Sequence, residues 1–178
     1  MEWNKSDLTD FARQAEVMLE ASVTEDLVGA VLRIHLVTEE ILNWFLQKRI
    51  GADQAAYVKM PRNFVDKLGL AVAFDLPLEL AAVMHQVNVI RNKIAHRMNA
   101  SIGHGDMAQL TRVVDNLRVL NPQNLPLAER SLHRFDGPDK ESVKFGHGNV
   151  RVDFLLAFGS FWWVALQWLT GGPPKGEV

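Results

Sequence analysis

The sequence of 178 residues contains no cysteine, which excludes disulfide bonds, cysteine nucleophiles and thiolate metal sites. Its first residues, Met1 to Asp7, lack the apolar run of a secretory signal peptide. The formal net charge of -2 gives no overall attraction to nucleic acid or to an anionic membrane surface. These absences fit a reducing compartment, and the expected location is the cytoplasm.

Motifs that would identify several common classes of protein are also missing. The sequence has no glycine-rich loop that could cradle phosphate and no serine-elbow motif. It lacks a helix-turn-helix signature as well, which counts against a self-sufficient DNA-binding repressor. No alternation of apolar and polar residues runs beyond a few positions, and no internal repeat is present. We therefore predict an all-α fold.

Helical periodicity is present along most of the chain. The apolar fraction of 48% and the charged fraction of 22% are typical of a soluble globular protein, and 178 residues fit one domain. We predict a single bundle of about five to six helices over residues 1–178, with a connection at 52–60 that holds one short turn. The predicted helices run from about Ser6 to Ala21, Ser22 to Ile50, Phe64 to Val72, Pro77 to Met98, Asp106 to Leu120 and Val150 to Leu169.

The last third of the chain combines a polar segment with an apolar helix. Residues at about 121–149 have turn signals and little periodicity, which is typical of an ordered surface excursion or of a mobile loop. The helix at about 150–169 is strongly apolar, but its core of about 16 residues is short for a membrane span. Arg151, Asp153 and Gln167 also lie within or beside it. We predict a core or dimer-interface helix and no membrane association.

The candidate chemistry is concentrated on the predicted helix from Pro77 to Met98. At about 100° per residue, one stripe of this helix is apolar and faces a core. A separate row carries hydrogen-bonding and titratable groups, and Arg91 lies about 60° beyond it. The apolar stripe is Val83, Val87, Ile90 and Ile94, and the polar row is His85, Asn88, Asn92 and His96.

This row also has a purely structural interpretation. Lys93, His96 and Arg97 stand where the negative end of the helix dipole favours basic residues without any further function. Asn92 and His96 are four residues apart, so their side chains could simply bond each other.

The segment Arg91-Asn-Lys-Ile-Ala-His96 resembles the Arg-Asn-x-x-x-His signature of the HEPN superfamily, the higher eukaryotes and prokaryotes nucleotide-binding domain. The order of the preceding features is similar too: a long helix with Glu39-Glu40, then Phe64-Val-Asp-Lys-Leu68, then the motif helix. This order looks most like the mannitol operon repressor branch of bacterial HEPN-like proteins. The resemblance covers roughly Val23 to Arg118.

The resemblance implies an RNA-binding protein, and in the active members a metal-independent endoribonuclease in which two motif helices meet at a dimer cleft. By position, Arg91 and His96 would be the active pair and Asn92 would order the site, with no cofactor and no metal. An imidazole can move protons near neutral pH, and a guanidinium matches phosphoryl oxygens. Arg91 and His96 are about 140° apart around a straight helix, which favours a site shared between two subunits.

The same resemblance leaves a second function open. Members like the mannitol operon repressor are regulators or interaction modules without catalysis. In that case the polar row would hold a homodimer or a protein partner together, whereas a ribonuclease toxin would have an antitoxin as its partner.

Other titratable and aromatic residues are weaker candidates. Glu39 and Glu40 could orient Arg91 or His96 from the neighbouring helix, or could satisfy a buried arginine or face solvent. No spacing among the histidines matches a known ligand pattern, so we predict no metal site. The tryptophans at 162, 163 and 168 could stack bases, although a packed interface is the expected role. His85, His96, His104 and His147 are the histidines that could be imagined as metal ligands, whereas His35 and His133 are expected to be ordinary surface or core-edge residues.

Overall fold

Residues 17, 26–95, 101–133 and 142–171 are the part of the chain that the computed structural model describes. A short antiparallel ribbon, in which Leu132 faces Val143, is its only sheet. The all-α prediction is therefore confirmed. The elements in this part are α1 (Leu27–Arg49), α2 (Ala52–Ala55), α3 (Phe64–Ala73), α4 (Leu78–Ala95), α5 (His104–Asp115), two 3-10 helices (Asn116–Val119 and Leu127–Glu129), β1 (Ser131–His133), β2 (Ser142–Lys144) and α6 (Val150–Thr170).

Side-chain caps begin three of these helices. The Asp26 carboxylate accepts hydrogen bonds from the first free backbone N–H groups of α1. Asn63 stands directly before the predicted helix from Phe64, a position that favours a capping asparagine, and it accepts from the Asp66 N–H at 2.9 Å. Asn149 caps α6 in the same way. The predicted first helix and the predicted capping box at 22–25 lie outside the described residues, apart from Val17, which is helical and packs against the core.

The core forms where α4 lies between the other long helices. α4 packs against α1, α3 and α5, and α6 packs against α5, α1 and α4. The predicted apolar stripe of α4 is buried throughout, with each member no more than 3% exposed. The largest fully buried side chains come from several helices and are Phe45, Phe154, Phe158, Phe161, Ile34, Ile41, Leu42, Leu46, Leu80, Met84, Ile90 and Leu110.

One flank of α1 differs from the prediction. Helical periodicity predicts that Leu36, Leu42 and Trp44 broaden the core stripe of α1, and Leu42 and Trp44 are indeed buried. Leu36 itself is 61% exposed, and Leu32, one turn before it, is 37% exposed. The apolar face of α1 is therefore wider than the part of it that neighbouring helices cover in the described structure.

The segment predicted as an irregular polar loop at 121–149 is ordered wherever it is described. Buried Asn124 exchanges hydrogen bonds with Ser160 of α6, and the Arg130 guanidinium donates to the Asn124 side chain at 2.6 Å. Asn121 donates to Gln167, and the Leu127 N–H donates to Asp115 at 2.8 Å. These bonds join residues 121–130 to α5 and α6.

α6 is a helix of the protein core. Its 21 residues and mean hydropathy of 1.4 would be enough to cross a membrane by length and composition alone. However, 56% of its most apolar window is buried inside the protein, and the three phenylalanines of that window are at most 1% exposed. Apolar helices of soluble proteins have these same properties. Trp168 packs near the Phe45 ring, with centroids 5.8 Å apart, while Trp163 is 52% exposed.

Two positions on α6 test this placement. Phe158→Ala removes a fully buried ring and should lower the free energy of unfolding by about 3–5 kcal/mol. Trp163→Ala, on the exposed side of the same helix, should cost much less. Urea denaturation of both variants beside the wild type measures the difference. Equal losses for the two variants would contradict the burial of this face of α6.

Candidate functional site

Six polar side chains meet where α1, α3 and α4 pack together, and we call them the polar cluster. α1 brings two of them from positions one helical turn apart, α3 brings one, and α4 brings three from its carboxyl-terminal half. The members of the polar cluster are His35, Glu39, Lys67, Asn88, Arg91 and Asn92.

A hydrogen bond between His35 and Asn88 joins α1 to α4. The His35 Nε2 atom lies 3.1 Å from the Asn88 Oδ1 atom, and each residue is 6% exposed. Since an amide oxygen only accepts, the imidazole Nε2 carries the hydrogen. The Phe64 ring packs beside the imidazole, with ring centroids 4.8 Å apart. The expectation that His35 would be an ordinary surface or core-edge residue is corrected: His35 is a buried, bonded member of the polar cluster.

The environment of His35 favours its neutral form. Burial removes water from the imidazole and lowers its pKa, and the nearby Arg91 guanidinium lowers the pKa further. The Asn88 hydrogen bond and the Glu39 carboxylate act in the opposite direction but do not outweigh burial. At neutral pH the imidazole is therefore uncharged.

The Glu39 carboxylate is occupied by a lysine of α3. Its Oε1 atom lies 2.6 Å from the Lys67 Nζ atom, and the two side chains are 25% and 10% exposed. Glu40, the next residue, is exposed. Glu40 therefore faces solvent, which is one of the roles predicted for the two glutamates. Glu39 neutralises a buried lysine, Lys67, and does not form an ion pair with Arg91.

Two of the three motif residues, Arg91 and Asn92, are in contact with each other. The Arg91 Nη1 atom donates to the Asn92 Oδ1 atom at 2.9 Å, and both residues are half-buried. The Arg91 Nε atom is also buried, and it has no hydrogen-bond acceptor among the described residues. His96, the third candidate of the motif, lies outside the described residues.

No carboxylate of the described residues lies within ion-pair distance of the Arg91 guanidinium. The ion pairs found between described side chains join Lys67 to Glu39 and Lys93 to Asp106. The polar cluster contains two cations, Lys67 and Arg91, and one anion, Glu39. Glu39 is bonded to Lys67. The charge of Arg91 is the one left without a partner of opposite sign in this cluster.

The remaining sequence candidates are dispersed. His85, His104 and His147 are each exposed on different elements, and no group of three or more His, Asp or Glu side chains in the described structure is placed to hold a metal. The tryptophans of α6 pack against the core or lie on its surface, away from the polar cluster.

The sequence prediction missed two members of the polar cluster, His35 and Lys67, whereas Glu39 was among its candidates. His35 and Glu39 are four residues apart on a mostly apolar helix, which is the signal that could have placed them on one face. Lys67 is far from both in the chain, so spacing alone could not have paired it with Glu39.

Comparison of the chain with models of known protein families, with curated proteins and with solved structures gives no match. A functional proposal therefore depends on the polar cluster and on the motif that begins at Arg91.

The ion pair of the polar cluster can be tested with two adjacent glutamates. Glu39→Ala leaves the buried Lys67 ammonium without its partner and should lower the free energy of unfolding by about 3 kcal/mol. Glu40→Ala changes an exposed side chain and should stay within about 0.5 kcal/mol of the wild type. Urea denaturation measures both values, and equal effects would contradict a structural role for the Glu39–Lys67 pair.

His35 should make the stability of the protein depend on pH. In the unfolded chain the imidazole titrates near its ordinary pKa of about 6.5, whereas burial lowers its pKa in the folded protein. Below about pH 6.5 the unfolded state therefore binds more protons, and the stability falls as the pH falls. His35→Gln should weaken this dependence in urea denaturation between about pH 7.5 and 5.5. An unchanged pH dependence would show that His35 does not cause it.

Proposed function

We propose that this chain is an HEPN-like RNA-binding protein that holds a phosphodiester group at Arg91 and cleaves RNA without a metal ion, at a cleft formed by two copies. The observation that carries the proposal is the state of the Arg91 guanidinium. It is half-buried and bonded to Asn92 through Nη1, it has a buried Nε–H without an acceptor, and no described carboxylate is within ion-pair distance.

A ligand with negatively charged oxygens suits this guanidinium. A buried donor without a partner costs about 1–3 kcal/mol, and such donors in native structures call for an explanation such as a ligand. Asn92 accepts from Nη1, which leaves the second terminal nitrogen for a phosphate oxygen, next to the buried Nε–H that has no acceptor. A guanidinium matches phosphate oxygens well and keeps its charge at every physiological pH.

The proposed reaction uses the 2′-hydroxyl of the RNA itself. A base removes the 2′-hydroxyl proton, the oxygen attacks the neighbouring phosphorus, and an acid gives a proton to the departing 5′ oxygen. Arg91 would stabilise the extra negative charge of the phosphorane, where an electrostatic contact has its largest effect on the rate. His35 is unsuited to the proton transfers because it is buried and bonded to Asn88, so we assign them to His96.

Exposed leucines beside the polar cluster support the proposed dimer. Leu32 and Leu36 lie on one flank of α1, and Leu32 is only about 20° around the helix from Glu39. Apolar side chains of this size on one helix flank are suited to contact with a second copy.

The same exposed flank favours a second candidate function, a non-catalytic regulatory or protein-interaction module resembling the mannitol operon repressor. In that function Leu32 and Leu36 would contact a protein partner, and a carboxylate of the partner would reach Arg91 in place of RNA.

RNA cleavage with EDTA present separates the two functions. The wild type should cleave a mixed RNA pool, and Arg91→Ala or His96→Ala should lower the rate by about 100-fold or more, since each removes a group of the proposed reaction. Arg118→Ala removes the same charge from an exposed position and should act like the wild type. Circular dichroism confirms that each variant is folded before it is compared.

Light scattering on the same proteins gives the second readout. If the wild type leaves every RNA intact and does not bind it, the ribonuclease proposal is wrong. A loss of dimer or of partner binding in Arg91→Ala, without any RNA activity in the wild type, would favour the interaction module.

A further inference from the structure

His35 of α1 is bonded to a residue that lies within one helical turn of the proposed phosphate-binding arginine on α4. Its hydrogen-bond partner, Asn88, comes three residues before Arg91 on α4. The bond therefore places the imidazole of α1 beside the part of α4 that carries the guanidinium, and the Phe64 ring packs beside the imidazole. His35 cannot move away from Arg91 without breaking the contact between α1 and α4.

Two charged groups act directly on this imidazole, Glu39 on α1 and Arg91 on α4. Lys67 on α3 belongs to the same cluster through its bond to Glu39. Lys67 and Glu39 neutralise each other at 2.6 Å, so Arg91 supplies the excess charge near His35. Adding a proton to His35 would place a second uncompensated cation beside Arg91, which is unfavourable while no anion is bound.

We propose that His35 couples proton uptake to the binding of RNA phosphate at Arg91, so that the protein binds RNA more tightly as the pH falls below neutral. This inference rests on the proposed function and adds regulation of the same site. A phosphate at Arg91 supplies the missing negative charge, and the protonated imidazole then becomes acceptable next to it. By linkage, bound phosphate raises the proton affinity of His35 by a certain factor, and protonation of His35 raises the phosphate affinity by the same factor.

The proton can be added without breaking the existing hydrogen bond. Nε2 already carries the hydrogen that faces Asn88 Oδ1, so the new proton goes to Nδ1. The α1–α4 contact is therefore retained in both protonation states. A coupling of one pKa unit corresponds to a tenfold change in affinity, and we expect roughly a threefold to tenfold gain between pH 7.5 and pH 5.5.

The experiment measures binding of a short 2′-O-methyl RNA to the full chain at constant ionic strength. The 2′-O-methyl group blocks the attacking hydroxyl, so binding is measured without cleavage. Wild type and His85→Gln, which changes an exposed histidine of the same helix, should both bind more tightly at the lower pH. His35→Gln should lose most of this gain while it keeps its affinity at pH 7.5. A His96→Gln variant should keep part of the gain, since His96 belongs to the motif but not to the His35–Asn88 contact.

A second measurement avoids substitution altogether. The His35 ring protons of the wild type are followed by NMR during a pH titration, with and without the 2′-O-methyl RNA. We expect the RNA to raise the pKa of His35, which would establish the coupling even if His35→Gln did not fold.

The possible failures are distinguishable. RNA binding that depends on Arg91, together with the same pH dependence in His35→Gln as in the wild type and an unmoved His35 titration, would overturn this inference alone. Absence of RNA binding at either pH would overturn both the inference and the proposed function.

Discussion

A buried imidazole needs a hydrogen-bond partner, and the His35–Asn88 bond meets this need where α1 crosses α4. Because the bond is 3.1 Å long and both residues are almost fully buried, it fixes the position of α4 along the axis of α1. The Glu39–Lys67 ion pair, one turn further along α1, fixes α3 in the same way. Three helices are thus held by specific polar contacts as well as by apolar burial, and the position of Arg91 follows from them.

Arg91 differs from the rest of the polar cluster because its bonding is incomplete. His35, Glu39 and Lys67 each have a partner on another helix, which is the usual condition of buried polar groups. Arg91 has only its chain neighbour Asn92, and its Nε–H faces no acceptor in the described structure. Arg91 is therefore the member of the polar cluster whose hydrogen bonding is least complete within the described structure.

Local signals predicted the helices, and they failed where a distant partner decides the outcome. Periodicity and the Asn63 cap placed α3 and α4 to within a few residues, because both depend on neighbours in the chain. Periodicity also counted Leu36 as core, since it gives the angle around a helix but not which other helix covers that angle. For the same reason it could not show that Lys67 would select Glu39 over Glu40, and three-residue strands such as β1 and β2 are too short to alternate visibly.

The position of α6 in the chain has a consequence for biosynthesis. Of the described helices it is the last to leave the ribosome, yet Phe154, Phe158 and Phe161 supply a large part of the buried aromatic core. Until it is made, α1 and α5 lack the part of their packing that α6 supplies, and a nascent chain at that stage exposes apolar surface of the kind that chaperones recognise. This core is therefore completed only after α6 has left the ribosome, and a ribosome stalled before α6 would carry an aggregation-prone intermediate.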